Sequence, residues 1–262
     1  MNDMVLQSLD RGLLTITMNR PDRRNALNVE MTQGLVEAAR RAAEDHDVRA
    51  VLLKGAGGTF CVGGDVKSMA AGRAPLPFEA KKANLRRGME VSRILHQMPK
   101  PVVAQVDGAA AGAGLSIALA CDLRVASASV KITTAFAKVG LSGDYGGTYF
   151  LTHLLGSAKA RELYLMSPVL TAQEALALGM VSKVVPDAEV ETAAHELAMS
   201  LAQGPTVTLG YIKTNINNAE TLSLEACFGA EAMHHSRCSD TADHKEAAQA
   251  FVEKRKPTFG GH

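Results

Sequence analysis

Two glycine-rich stretches put small residues where backbone amides can do chemistry. FCVGGD (Phe60 to Asp65) lies between strand-like and helix-like segments, and GAAAGAGLS (Gly108 to Ser116) lies between a buried apolar strand and a helix. Glycine and alanine permit close backbone approach, and free N–H groups at a helix start favour a negative or partly negative oxygen. Two such loops on one α/β scaffold suggest a pair of donors converging on a single oxygen, an oxyanion hole. Other reactive side chains are poorly arranged. His46, His96, His153, His195, His234, His235 and His244 form no triad, and no G-x-S-x-G marks a nucleophilic serine. Cys61, Cys121, Cys227 and Cys238 contain no C-x-x-C pair and have no histidine at zinc-ligand spacing, so no metal site is expected. Asp107 and Asp122 read as turn and strand-end residues.

The elements that must position these loops follow from periodicity. Gly12 to Asn19 alternates as a half-buried strand. Asn28 caps a helix running toward His46, with Met31, Leu35, Ala38, Ala39 and Ala42 on one face. Arg49 to Lys54 is a second strand. Glu79 to Met98 reads as one amphipathic helix, with Leu85, Met89, Leu95 and Met98 inward and Pro99 ending it. Pro101 to Val106 is a buried strand that leads into a small-residue helix ending at Cys121. Short strands are expected at Leu123 to Ala126, Val130 to Thr133 and Val181 to Val185, with helices filling the rest from Thr171 onward. Strands separated by helical stretches imply an α/β layer fold. Gly204-Pro205 divides it into a core, 1–203, and a helical region, 204–262.

Composition narrows the function. The chain has 262 residues, 47% hydrophobic and 21% charged, with a net charge of +1. Neither nucleic acid nor an anionic membrane is favoured by that balance, and 4% aromatics with no Trp leaves few stacking platforms. The N-terminal segment carries no secretion signal, and the longest apolar run is too short to span a bilayer, so a cytoplasmic protein is expected. Gly108, Gly112 and Gly114 also fit the cofactor turn of short-chain dehydrogenases. That turn falls mid-chain here, however, and Tyr145, Tyr149, Tyr164 and Tyr211 are followed four positions on by Tyr149, His153, Pro168 and Asn215, never by lysine.

Five segments in order and spacing resemble the enoyl-CoA hydratase/isomerase (crotonase) family. They are NRPDRRNALN (Asn19 to Asn28), TFCVGGDVKSM (Thr59 to Met69), PVVAQVDGAAAGAGLSIALACDLRVAS (Pro101 to Ser127), the loop through Gly146-Gly147-Thr148, and AFVEKRKPTF (Ala250 to Phe259). The resemblance implies a spiral of ββα units with a C-terminal helical region that builds homotrimers, often paired into homohexamers. It implies no permanently bound cofactor, coenzyme A being part of the substrate. Gly64 and Ala113 match the two oxyanion amides. Arg24, Ala26, Cys61, Val62, Asp65, Val66 and Lys67 match positions lining the coenzyme A path, and Phe251 and Lys254 match a pair reaching the nucleotide, often from a neighbouring subunit.

The two catalytic glutamates of typical hydratases in that family are matched here by Ser116 and Phe136, neither of which can serve as a carboxylate base. Asp144, in GLSGDYGGT, occupies a loop position that carries an aspartate in related isomerases and a nucleophile in aroyl-CoA dehalogenases. It is also a residue that turns favour for local reasons. The expectation is an enoyl-CoA double-bond shift through an oxyanion-stabilised enolate, with Asp144 as acid/base. Phe136, Leu141 and Tyr145 would be the apolar neighbours that raise its pKa. The alternatives are a hydratase with Ser116 placing water, and dehalogenase-like hydrolysis. Met89 stands where the dehalogenase's helper histidine is matched, and His96 reads as incidental. Acyl-CoA binding without chemistry is a further possibility.

Overall fold

The computed structural model describes residues 3–65 and 76–262. Eight strands are described, in two sheets. The larger has the order β1-β2-β3-β4-β6-β8, formed by Val5–Asp10, Leu13–Met18, Ala50–Gly55, Val102–Val106, Leu123–Ser127 and Lys183–Val185. β1 and β2 are antiparallel, and every later neighbour in this sheet is parallel. β5 (Ala109–Ala111) and β7 (Lys131–Thr133) form the smaller, parallel sheet. Both faces of the large sheet are covered. Leu14, Ile16, Met18, Val51, Leu53, Val102, Ala104 and Val106 point into the main core, while Leu13, Leu52, Val103 and Val125 pack beneath α7 (Val190–Ala202). Burial on both faces explains why β3 and β4 read as nearly continuous apolar runs, interrupted only by Lys54 and Gln105.

Helix α1 (Val29–Glu44) begins where the sequence indicates. The Asn28 side chain accepts from Met31 N at 2.8 Å, and the five expected inward residues are all buried. The expected helix from Glu79 to Met98 is instead two, α2 (Phe78–Gly88) and α3 (Glu90–Gln97). The break has a tertiary cause. A Cβ on Gly88 would stand 2.7 Å from Thr32 Cγ2 and 2.8 Å from the Tyr145 hydroxyl, so the chain presses backbone against α1 there. Leu85, expected inward, is exposed. Likewise the run after Pro101–Val106 is not helical at once: β5 comes first and α4 (Ala113–Leu119) follows.

α5 (Gly147–Met166), broken at Gly156, packs on α4, and α6 (Ala172–Ala177) lies against β7 of the smaller sheet. The chain after Gly204-Pro205 forms α8 (Thr206–Ala219), α9 (Leu224–Ser239) and α10 (Ala242–Glu253). α8 is tied down by Lys213, whose ammonium is buried and donates to Leu95 O at 2.6 Å, Lys100 O at 3.1 Å and Asp122 Oδ2 at 2.9 Å. Among the described residues, no helix is long and apolar enough to cross a membrane.

Candidate active site

The loops that leave the carboxyl ends of β3 and β4 are stitched together before either can present a group. Cys61 N donates to Ala109 O at 3.1 Å and Ala111 N donates to Cys61 O at 3.0 Å, forming a parallel bridge between Cys61 and Ala110. A Cβ on Gly114 would stand 2.3 Å from Cys61 O, which is why glycine is needed at the start of α4. The NRPDRRNALN segment braces the same loop from behind. Asn25, fully buried with φ +55°, donates to Ala56 O at 2.9 Å and Thr59 O at 2.6 Å. Arg20 donates to Ala26 O at 2.6 Å and pairs with Asp65 at 3.2 Å.

A backbone accounting then isolates the reactive donors. In the first loop Phe60, Cys61, Val62 and Asp65 donate their N–H groups to Asp107 O, Ala109 O, Arg24 O and Leu27 O, and Gly63 N reaches Cys61 Sγ at 3.4 Å. Gly64 N has no acceptor among the described residues. In the second loop Ala111 and Gly112 donate to Cys61 O and Thr133 O, while Ala113 N is likewise without an acceptor. The two free amides are close. A Cβ on Gly63 would lie 3.3 Å from Ala113 N, and covalent geometry from that carbon to Gly64 N keeps the two nitrogens within about 7 Å.

Asp144 lies within electrostatic reach of Cys61, in the first of these two loops, and sits on a loop of unusual backbone. Gly143, Tyr145 and Gly146 have φ of +117°, +51° and +79°, so the carboxylate is flanked by left-handed residues, one of them a bulky tyrosine. Asp144 Oδ1 is buried and has no hydrogen-bond partner among the described residues. Burial raises its carboxyl from the usual range to about 6. Burial is the main cause that pushes up the Cys61 thiol and the Tyr145 and Tyr164 phenols, and the nearby Asp144 charge adds to each, so the carboxyl lies near these groups. Tyr145 is buried.

The remaining expected residues divide clearly. Ser116 is 1% exposed, and its hydroxyl donates to Gly112 O at 3.2 Å. Phe136 is buried and stacks on Tyr164, with ring centroids 5.8 Å apart. Leu141 is 50% exposed. Ala26 and Cys61 are buried in the braced loop, Val62 is half-buried beside them, Arg24 is exposed, and Asp65 is held in its pair with Arg20. Val66 and Lys67 lie outside the described residues. Phe251 and Lys254 sit exposed at the end of α10, and neither hydrogen-bonds to the Gly64 or Ala113 loops within this chain. Beyond Tyr145 and Gly146 a cavity of about 570 Å³ opens, lined among others by Met89, Ser92, His96, Tyr149, Phe150 and Asn217. Burial lowers the pKa of His96, whose Nε2 lies 3.6 Å from Glu220. Sequence reasoning gave no role to Arg20, Asn25 and Tyr164. Arg20 and Asn25 were within a quoted motif, whereas Tyr164 carried no local signal.

Known proteins share this design throughout. The family model described as enoyl-CoA hydratase/isomerase matches residues 8–262. A 1,2-epoxyphenylacetyl-CoA isomerase of Escherichia coli is 38% identical over 271 residues, covering all of both chains. A short-chain-enoyl-CoA hydratase of Clostridium acetobutylicum is 32% identical, covering 98% of this chain and 97% of that protein. The crystal structure of an enoyl-CoA hydratase from Bacillus anthracis superposes with a TM-score of 0.92 at 29% identity, over 99% of this chain and all of that one. With matching fold, matching length and a family model spanning nearly every residue, the chain belongs to the enoyl-CoA hydratase/isomerase family and is an enzyme of the crotonase superfamily.

Proposed function

We propose that this enzyme shifts a double bond within an enoyl-CoA, with Asp144 carrying the proton. The thioester oxygen rests between the Gly64 and Ala113 amides, which stabilise the enolate formed when a carbon-bound proton leaves. Asp144 takes that proton and returns it to another carbon of the same acyl group. A carboxyl with a pKa of about 6 is suited to both halves of the cycle near neutral pH. The observation that carries the proposal is a pair of amides without acceptors together with a buried carboxylate oxygen without a partner, the carboxylate lying within electrostatic reach of Cys61 in the Gly64 loop. The far end of the acyl group would occupy the cavity beyond Tyr145.

Hydration through Ser116 is less well supported, because that side chain is enclosed and its hydrogen points to Gly112 O. The E. coli relative is by its name an isomerase of an epoxidised acyl-CoA, which agrees with a rearrangement within the acyl group and not with addition of water. Coenzyme A would run along Arg24, Ala26, Cys61, Val62, Asp65, Val66 and Lys67. Phe251 and Lys254 would serve the nucleotide of a neighbouring subunit in a homotrimer or homohexamer. Ile212, Ile216, Leu224, Phe228, Phe251 and Val252 are exposed on the C-terminal helices, an apolar surface suited to such an assembly.

The test is incubation of a panel of enoyl-CoA esters in D₂O. A shifted double bond with no added oxygen is the expected result, with the receiving carbon carrying the transferred proton, or deuterium where the Asp144 carboxyl has exchanged with solvent before returning it. Accumulation of a 3-hydroxyacyl-CoA or of free coenzyme A would overturn it.

A further inference from the structure

The cavity beyond Tyr145 has two unlike walls. One is aromatic, built from Tyr145, Tyr149 and Phe150 around the start of α5. The other carries polar side chains, Ser92 and His96 from α3 and Asn217 and Asn218 from α8. A plain hydrocarbon tail has no use for the second wall. A polar group covered by a chain that cannot hydrogen-bond to it loses water and gains nothing.

Two of those side chains are without a hydrogen bond among the described residues. Ser92 is 3% exposed, and its hydroxyl meets no partner. One helical turn on, His96 lies edge-on to Phe150, with ring centroids 5.2 Å apart. Its Nε2 is 3.6 Å from Glu220 Oε2, too far for a hydrogen bond, and that carboxylate accepts instead from the Tyr149 hydroxyl at 2.6 Å. The backbone behind them is fixed, since Asn217 donates to His96 O at 2.8 Å. Residues four apart on a helix lie about 6 Å from one another on the same face, so a single oxygen placed between Ser92 and His96 can bond to both.

The charges nearby select for a neutral oxygen. Arg86 and Arg93, which also line the cavity, are both paired with Glu90. A carboxylate entering there would face Glu220, with the two arginines already engaged. Burial lowers the pKa of His96, so its ring is neutral near neutral pH and offers one donor and one acceptor nitrogen.

We infer that Ser92 and His96 are specificity-determining residues that favour an acyl group bearing a neutral hydroxyl or keto oxygen on its distal part over a plain hydrocarbon of the same length, an inference that rests on the acyl site proposed above. The aromatic wall takes the carbon skeleton, and the α3 wall reads the oxygen. A hydrogen bond gained and a buried polar group no longer left unpaired together make the oxygenated ester preferred about ten- to hundredfold.

The experiment pairs saturated acyl-CoA esters of equal chain length, one plain and one with a distal hydroxyl or keto group. Their affinities are read by calorimetry in the whole chain, in Ser92→Ala and in His96→Phe. Saturated esters cannot undergo the double-bond shift, so binding is read apart from turnover. kcat/KM is then measured for the matching pair of enoyl-CoA esters. The parent should prefer the oxygenated member about ten- to hundredfold in both measurements. Each variant should reduce that ratio about five- to tenfold, partly by gaining on the plain ester. Equal affinities for the pair in the parent, or a preference that neither variant alters, would overturn the role of Ser92 and His96 and leave the acyl site in place. A binding preference without any double-bond shift would uphold that role and overturn the proposed reaction. No saturable binding of either ester would overturn the acyl site and this inference with it.

Discussion

At the Gly64–Ala113 cradle the working groups are peptide N–H bonds, whereas at the Asp144 loop the working group is a side chain. The cradle is held by at least seven described backbone or buried side-chain hydrogen bonds, from Asn25, Cys61, Val62, Asp65, Ala111 and Gly112. Asp144 Oδ1 has no partner among the described residues, and the loop around it has positive φ at Gly143, Tyr145 and Gly146. Side-chain identity therefore matters little in the cradle, provided the residue is small, and decides everything at the loop. One region is secured so that its geometry cannot drift. The other is left underbonded so that its carboxylate can exchange a proton.

The contrast can be broken most sharply at Asp144. Asp144→Asn keeps size and shape and removes the base, so turnover should fall about 10²–10⁴-fold while the affinity for a CoA ester, read by calorimetry, changes little. Equal losses in both would return Asp144 to a plain turn residue. In the cradle, Gly114→Ala should rival that loss without touching any reactive group. Its new Cβ meets Cys61 O at 2.3 Å and must part the two loops, costing about 10²-fold in turnover, as for removal of one donor, and about 1–3 kcal/mol of stability.

A third outcome concerns pH. Asp144 is raised from 3.8 to about 6, so as a base it is ionised only above that value and kcat should rise through about pH 6. Folding favours its neutral form, so its contribution to stability falls as pH climbs from about 4 to about 6, and the cost persists above that. Asp144→Asn should accordingly stabilise the fold by about 2–3 kcal/mol at pH 8 and by almost nothing at pH 3, measured by urea unfolding. The smallest effect belongs to the cradle again. Ala113→Gly keeps the N–H and should leave turnover within about threefold, since only helix propensity is lost.

What could be seen in the sequence tracks how local the physics is. The Asn28 cap, the inward stripe of α1 and the apolar runs of β3 and β4 depend on neighbours in the chain, and all appear where expected. Gly64 and Ala113 were placed by motif order, and both prove to be amides without acceptors. β1 escaped notice because only Val5 in it is buried, so alternation has little to report. The break at Gly88 depends on Thr32 and Tyr145, neither of which is near it in sequence. Tyr164 is 48 positions from Ser116, and only the folded chain brings both hydroxyls beside Gly147. Arg20 and Asn25 stood inside a recognised segment, but their work as braces follows from carbonyls contributed by Ala26, Ala56 and Thr59.

The most direct measurement is a crystal structure of the Asp144→Asn protein with an enoyl-CoA bound. The thioester oxygen should lie about 2.7–3.1 Å from both Gly64 N and Ala113 N, with the amide of residue 144 beside the carbons that exchange the proton. A thioester bound elsewhere, or an oxygen held by neither nitrogen, would contradict it.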